Sequence, residues 1–281
     1  MKYKLIISDF DGTLADTSGR ASRTDLIPTP VLDAIEKFRK AGGKFVVCSG
    51  RATDTAHNVL KMANIVPEAL ITYQGSMAFV GNKTVVNGGV KADHASKILK
   101  EIKEKFNREC GTYINDVYYY EGSSPYSIGY ADFCIKHGMR VENVNDLSAF
   151  VLSNGGESQK LIIAKSPDED LAEIENYINE KFKGQLIANS GAPTILEIIS
   201  TAYTKYTASK FIAEMLGVSE DETVTIGDSS NDLTLIEFGL GCAVADGSKE
   251  LIAEADYVAP PIAQMPVKHI IDKILSDEDL V

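Results

Sequence analysis

Asp9-Phe10-Asp11-Gly12-Thr13 places two carboxylates two residues apart, directly after the apolar run Leu5-Ile6-Ile7. Residues i and i+2 of a strand share a face, so the end of this strand aims both acids at one point. Such a pair repels itself unless protons or a cation offset the charge. At neutral pH the natural offset is Mg²⁺, a hard ion held by one or two carboxylates together with substrate phosphate oxygens. A strand ending in a solvated Asp/Gly turn gives the same string, so the pair gains meaning only from its company. Three further segments supply it. Ser49-Gly50-Arg51 offers a hydroxyl, backbone N–H groups and a following helix N-terminus, which suit an anion. Lys205 stands near the start of a helix, where a cation opposes the helix dipole. Gly227-Asp228-Ser229-Ser230-Asn231-Asp232 follows a strand and brings more carboxylates, although the same residues suit an Asx-type turn capping the next helix.

The elements that carry these groups alternate. Thr29-Pro30 reads as an N-cap and first helical position, and Val31, Leu32, Ile35 and Phe38 recur at helical spacing until Gly42-Gly43. Residues 44–48 form a continuous apolar strand of the kind buried on both faces of a parallel sheet. A helix over about 53–63 leads to a strand over 69–73. Strands alternating with helices of this length predict an α/β fold, a doubly wound and mostly parallel, Rossmann-like sheet. In such a sheet ligands bind outside the carboxyl ends of the strands, and all four polar segments fall there or at nearby helix starts.

The pattern changes after residue 80. Residues 77–90 read as a hairpin around Gly81-Asn82, followed by a helix with Ala95, Ile98, Leu99, Ile102 and Phe106 on one face. A Tyr-rich strand over 113–120, a loop-rich stretch over 121–156 and a strand over 161–164 come next. A helix opening at Ser166-Pro167-Asp168-Glu169 and a strand over 185–189 complete the set. The α/β alternation resumes with a strand over 195–199, a helix through Ala208, Ile212 and Met215, and strands over 224–226, 242–244 and 256–259. These readings divide the chain into a discontinuous core, 1–80 and 193–281, and an inserted α+β module, 81–192.

The 281 residues, 44% hydrophobic and 24% charged, describe a globular chain with a core of ordinary size. A formal net charge of −12 argues against nucleic-acid backbone binding, which needs clustered Lys and Arg. It leaves room for an anionic substrate, because a bound metal and a few local cations reverse the field within a cleft. No apolar stretch approaches the roughly 20 residues that span a bilayer, so no membrane role is expected. Met1 leads into a strand without a signal-peptide layout, and Cys48, Cys110, Cys134 and Cys242 are scattered, as are the four histidines. The expectation is a cytoplasmic protein with reduced thiols and no zinc site.

The order D-x-D-G-T, S-G-R, Lys, then G-D-x-x-N-D, each at a strand end of one α/β domain, resembles the haloacid dehalogenase superfamily of phosphotransferases. The large insertion between the second and third motifs makes the chain similar to the Cof-type branch, whose members are Mg²⁺-dependent phosphatases. The resemblance implies Asp9 as nucleophile and Asp11 as general acid/base, with Mg²⁺ held by Asp9, Asp228 and the Asp11 carbonyl. It implies phosphate contacts from the Phe10 backbone, Ser49, Gly50, Lys205 and Asn231, with Asp232 standing behind the metal ligands and Thr13 ordering Asp11. The inserted module would act as a cap that selects a small phosphorylated metabolite, a sugar phosphate first. The segment 118–130, with Tyr126 and Ser127, has rings and hydroxyls suited to that task. Tyr206, Gln74-Gly75 and Asp246-Gly247 depart from the family's usual Gly, Asn-Gly and Asn-Ala. A sugar phosphomutase or other phosphotransferase on the same scaffold, or a catalytically silent binding protein, remains the alternative.

Overall fold

The computed structural model describes residues 1–17, 26–192 and 194–280. From the N-terminus, β1 (Leu5–Ser8), α1 (Thr29–Lys40), β2 (Lys44–Cys48), α2 (Thr53–Met62) and β3 (Ala69–Thr72) alternate, and β4 (Met77–Val80) and β5 (Lys83–Asn87) follow. Next come α3 (Ala92–Phe106), β6 (Gly111–Ile114), β7 (Val117–Tyr120), α4 (Pro125–Lys136), β8 (Arg140–Asn143) and α5 (Leu147–Asn154). Then β9 (Lys160–Ala164), α6 (Ala172–Lys181), β10 (Leu186–Ala192) and β11 (Ile195–Ser200). The chain ends with α7 (Lys205–Met215), β12 (Thr223–Gly227), α8 (Leu233–Ile236), β13 (Leu240–Val244), α9 (Lys249–Glu254), β14 (Tyr257–Ala259) and α10 (Pro266–Leu275).

Two compact units result. One comprises Met1–Arg51, Ala56–Val86 and Thr204–Val281, the other Ala52–Thr55 and Asn87–Tyr203. In the first, an eight-stranded sheet runs β14-β13-β12-β1-β2-β3-β4-β5. Its strands are parallel from β14 to β3, and β4 is antiparallel to β3. Leu5, Ile6 and Ile7 are all fully buried, because helices cover both sheet faces. Ile6 joins Phe38, Phe45 and Ile271 on one side, while Leu5 and Ile7 join Ile212 and Leu235 on the other. This is the doubly wound, mostly parallel α/β sheet expected from the alternation. In the second unit a six-stranded sheet runs β10-β11-β9-β6-β7-β8 and packs α3, α5 and α6 through Ile98, Val151, Ile174 and Leu196.

Several local readings change. The strand over 195–199 is β11, antiparallel to β9 and β10 in the second sheet, not a strand of the first. Its apolar run mimics a parallel core strand because it is an interior strand with Ile195, Leu196 and Ile198 buried. The strand over 113–120 is the hairpin β6–β7, turning at Asn115 and Asp116, both with positive φ (50° and 62°), as a two-residue primed turn requires. The stretch over 121–156 holds α4 and α5, capped by the side chains of Ser124 and Asp146. The helix expected from Ser166 begins only at Ala172, as α6. Among the described residues no helix is long and apolar enough to cross a membrane, and all four cysteines are free and buried.

Candidate active site

Asp9 and Asp228 stand at the carboxyl ends of neighbouring parallel strands, since Ser8 pairs with Ile226 in the β1–β12 ladder. The tight turn after β12 then returns Asp232 to the same point. Its Oδ2 accepts from the N–H groups of Asp228 and Ser229, both at 3.1 Å, and from the Ser229 hydroxyl at 3.3 Å. Carboxylate oxygens of Asp9, Asp228 and Asp232 consequently lie within 4.8 Å of one another. Lys205, the first residue of α7, enters from the other side with 1% exposure. Its Nζ donates to Asp9 Oδ1 at 2.6 Å and to Asp232 Oδ1 at 2.5 Å.

Charge does not balance in this cluster. Three carboxylates face one buried ammonium. Burial, then repulsion from Asp232, push Asp228 up to about 7. Asp9 is likewise raised well above the ordinary carboxylate range, by burial first and by Asp232 next. Burial pulls Lys205 down, yet Asp232 and Asp9 outweigh it and hold the ammonium well above its usual value. A hard, all-oxygen donor set carrying excess negative charge fits a divalent cation such as Mg²⁺. Asp232 spends both oxygens on protein donors, whereas Asp9 Oδ2 has no hydrogen-bond partner among the described residues. Asp9 and Asp228 are therefore the acids with oxygens to spare.

Thr13 donates to Asp228 Oδ1 at 2.8 Å, so it orders Asp228 and not Asp11. Gly12 has φ +83°, and a Cβ there would lie 2.5 Å from Asp228 Oδ2, which explains the glycine between the acid pair and the threonine. Asp11 is turned toward Arg51, which grips it with two bonds, Nε to Oδ2 at 2.7 Å and Nη2 to Oδ1 at 2.6 Å. The guanidinium carbon also lies 5.7 Å from the Phe10 ring centroid. Arg51 was visible in the sequence as the residue after Ser49-Gly50, but its partner becomes identifiable only once β1 and β2 lie side by side.

Ser49 follows β2, with its hydroxyl accepting from the Arg51 N–H at 3.2 Å. Gly50 backs onto the Gln74 side chain. Asn231 Oδ1 accepts from Ser229 at 2.6 Å, which fixes the orientation of its amide at the turn. Cys48 is inert, because burial and then the neighbouring acids leave its thiol at about 12 despite Lys205. Tyr126 and Ser127 belong to the second unit, in the first turn of α4. Tyr126 is 44% exposed, whereas Ser127 is buried and bonded to the capping Ser124.

Residues 6–271 match the family model of haloacid dehalogenase-like hydrolases. The chain is 24% identical to the 5-amino-6-(5-phospho-D-ribitylamino)uracil phosphatase YitU of Bacillus subtilis, over 88% of this chain and 87% of that protein. It superposes on the crystal structure of TM0651 from Thermotoga maritima with a TM-score of 0.77 and 27% identity, covering 96% of this chain and 97% of that one. A sugar phosphatase of haloacid dehalogenase subclass IIB, BT4131, gives a TM-score of 0.77 at 19% identity, covering 96% and 98%.

Proposed function

This chain belongs to the haloacid dehalogenase-like hydrolases, in their Cof-type branch, and we propose that it is a Mg²⁺-dependent phosphatase acting through an aspartyl-phosphate on Asp9. The single observation that carries the reading is the cluster of Asp9, Asp228 and Asp232 around Lys205 at the strand ends. Its proposed substrate is a small phosphorylated metabolite, a sugar phosphate first. YitU and BT4131 support that choice, since one is named for a phosphoribityl substrate and the other is titled a sugar phosphatase.

Lys205 holds Asp9 in place through Oδ1, and a carboxylate oxygen of Asp9 attacks phosphorus. Both Asp11 oxygens accept from Arg51, so in this reading Asp11 leaves Arg51 and takes up a proton before the reaction, and gives that proton to the leaving-group oxygen as the P–O bond breaks. Asp11 then removes a proton from the water that hydrolyses the acyl phosphate, and Asp9 is regenerated with inorganic phosphate. Splitting one displacement into two in this way is the gain of covalent catalysis. Ser49, the Gly50 N–H, Asn231, Lys205 and the Phe10 backbone would receive the phosphoryl oxygens. Mg²⁺, when bound by Asp9, Asp228 and the Asp11 carbonyl, supplies positive charge to those oxygens. Asp232 and Thr13 keep Lys205 and Asp228 in place. General acid catalysis contributes only about 10²–10⁴, so most of the acceleration falls to charge stabilisation by the fixed cations and N–H donors.

Phosphate release from a panel of sugar and nucleoside phosphates, with Mg²⁺ and then with chelator, tests the reading. Turnover that requires Mg²⁺ and disappears in Asp9→Asn is the expected result. Full activity in chelator, or in Asp9→Asn, overturns it.

A further inference from the structure

The turn after β3 is unusual in two respects. Tyr73 and Gln74 both have left-handed backbones, with φ of 51° and 59°, and both are buried, at 0% and 5% exposure. Consecutive non-glycine residues in that region are strained. The turn is nevertheless fixed: the Tyr73 N–H donates to the Arg51 carbonyl at 3.0 Å and the Gln74 N–H to the Ser49 carbonyl at 3.3 Å. On its far side Gly75, with φ +111°, lies so close to α7 that a Cβ would come within 2.2 Å of the Thr204 carbonyl and 3.0 Å of the Lys205 nitrogen. Gln74 is thereby wedged between the Ser49–Arg51 loop and the start of α7.

Its side chain has no structural task that would account for this. The Gln74 Nε2 occupies the place where a Gly50 Cβ would stand, 2.4 Å from it. Its Oε1 is buried without any hydrogen-bond partner among the described residues. A buried acceptor left unpaired costs stability, and each such group calls for an explanation. The strain, the close approach to Gly50 and the orphaned oxygen all meet beside residues we assign to phosphate binding.

We infer that Gln74 is a substrate-contacting residue that reads the leaving group, with Oε1 accepting a hydrogen bond from a hydroxyl on the alcohol being released. The inference rests on the phosphatase reading and narrows it. A fully ionised phosphoryl group offers only acceptors, so it has nothing to give Oε1. The donor must come from the organic part of the ester, and a polyol or sugar phosphate with a hydroxyl near the phosphate carries one. An ester without hydroxyls leaves Oε1 orphaned.

Gln74→Met keeps the side-chain volume and removes both polar ends. For a sugar or polyol phosphate turned over by the wild type, kcat/KM should fall about tenfold or more in this variant. For p-nitrophenyl phosphate, which has no hydroxyl, it should change less than about threefold. Melting temperature supplies a readout independent of catalysis. Removing a buried, unpaired acceptor should leave it unchanged or raise it by up to about 3 °C. A fall of several degrees would make the carboxamide structural and overturn the inference. So would an equal loss on both esters, or no loss on either. Absence of phosphate release by the wild type from every ester defeats the phosphatase reading and this inference with it; release with an unselective Gln74→Met defeats the inference alone.

Discussion

Lys205 and its acids form one buried ion-pair cluster, and the proposed chemistry rests on the same residues. Lys205→Met strips the buried ammonium from Asp9 and Asp232, and breaking a buried pair of this kind costs about 3–5 kcal/mol. Chemical denaturation should show that loss in chelator, with part of it recovered by Mg²⁺; an unchanged midpoint would mean that the acids do not depend on the ammonium. Asp228 gives a pH signature. Its carboxyl is held at about 7 against an ordinary 3.8, so the folded state binds the proton more tightly than the unfolded state. That contribution is fully present below 3.8 and is lost as pH rises through about 7. In chelator, the melting temperature of the wild type should therefore fall across this window relative to Asp228→Asn, and Mg²⁺ should oppose the fall at the upper end. Parallel curves for the two proteins would remove Asp228 from the cluster's charge balance. The acids, Ser49 and Lys205 were legible in the sequence because each follows an apolar strand or opens a helix. The grip of Arg51 on Asp11 and the packing of Gln74 against Gly50 were not, since each joins residues at least 24 positions apart that only the fold brings near.

At the scale of elements, the short segments that join strand ends to helices do the positioning. Gly75→Ala tests one of them. A Cβ 2.2 Å from the Thr204 carbonyl must push α7, and Lys205 with it, out of register. Activity should fall at least about tenfold while the secondary structure by circular dichroism stays the same, because small displacements of catalytic groups cost heavily. Wild-type activity would show that the contact yields without moving Lys205. In the second unit, Glu109 accepts from the N–H groups of Ser123 and Ser124 at 3.0 and 2.9 Å, next to the N-cap of α4. Burial works against its charge, but the Ser124 side chain, followed by those N–H bonds, prevails and brings the carboxyl down to about 2. Its contribution is present above 4.5 and is lost as pH falls toward about 2. Glu109→Gln should therefore melt lower than wild type at neutral pH, with the difference shrinking below pH 4.5; a constant difference would leave the carboxylate charge without a role. α4 escaped sequence reading because its exposed positions include Tyr126, Ile128, Phe133 and Ile135. With apolar residues all round, no stripe of helical period stands out. The Asn115-Asp116 turn was legible in principle, since these residues tolerate positive φ, but the tyrosines on either side read as one strand.

For the whole molecule, the parallel sheet with its helices followed directly from the alternation of apolar strands and amphipathic helices. The division of the chain followed less closely. β5 completes the first sheet and β11 lies within the second, so the compact units change over at Val86/Asn87 and Tyr203/Thr204 rather than after 80 and 192. Strand composition reports how buried a strand is, not which sheet buries it. The proposed catalytic groups all lie in the first unit, although Lys205 is separated from Asp9 by the entire insertion in the sequence. The pairing of Asp9 with Lys205 thus depends on a contact 196 residues apart in the chain, and in the proposed mechanism it prepares Asp9 to accept a phosphoryl group. Rapid quenching of the enzyme during turnover of a sugar phosphate with Mg²⁺, followed by borohydride reduction and peptide mass analysis, identifies the phosphorylated residue. An acyl phosphate is reduced to an alcohol, so homoserine is expected at position 9, dependent on substrate and absent in Asp9→Asn. Reduction at another carboxylate, or none while phosphate is being released from a pre-steady-state burst, would contradict it.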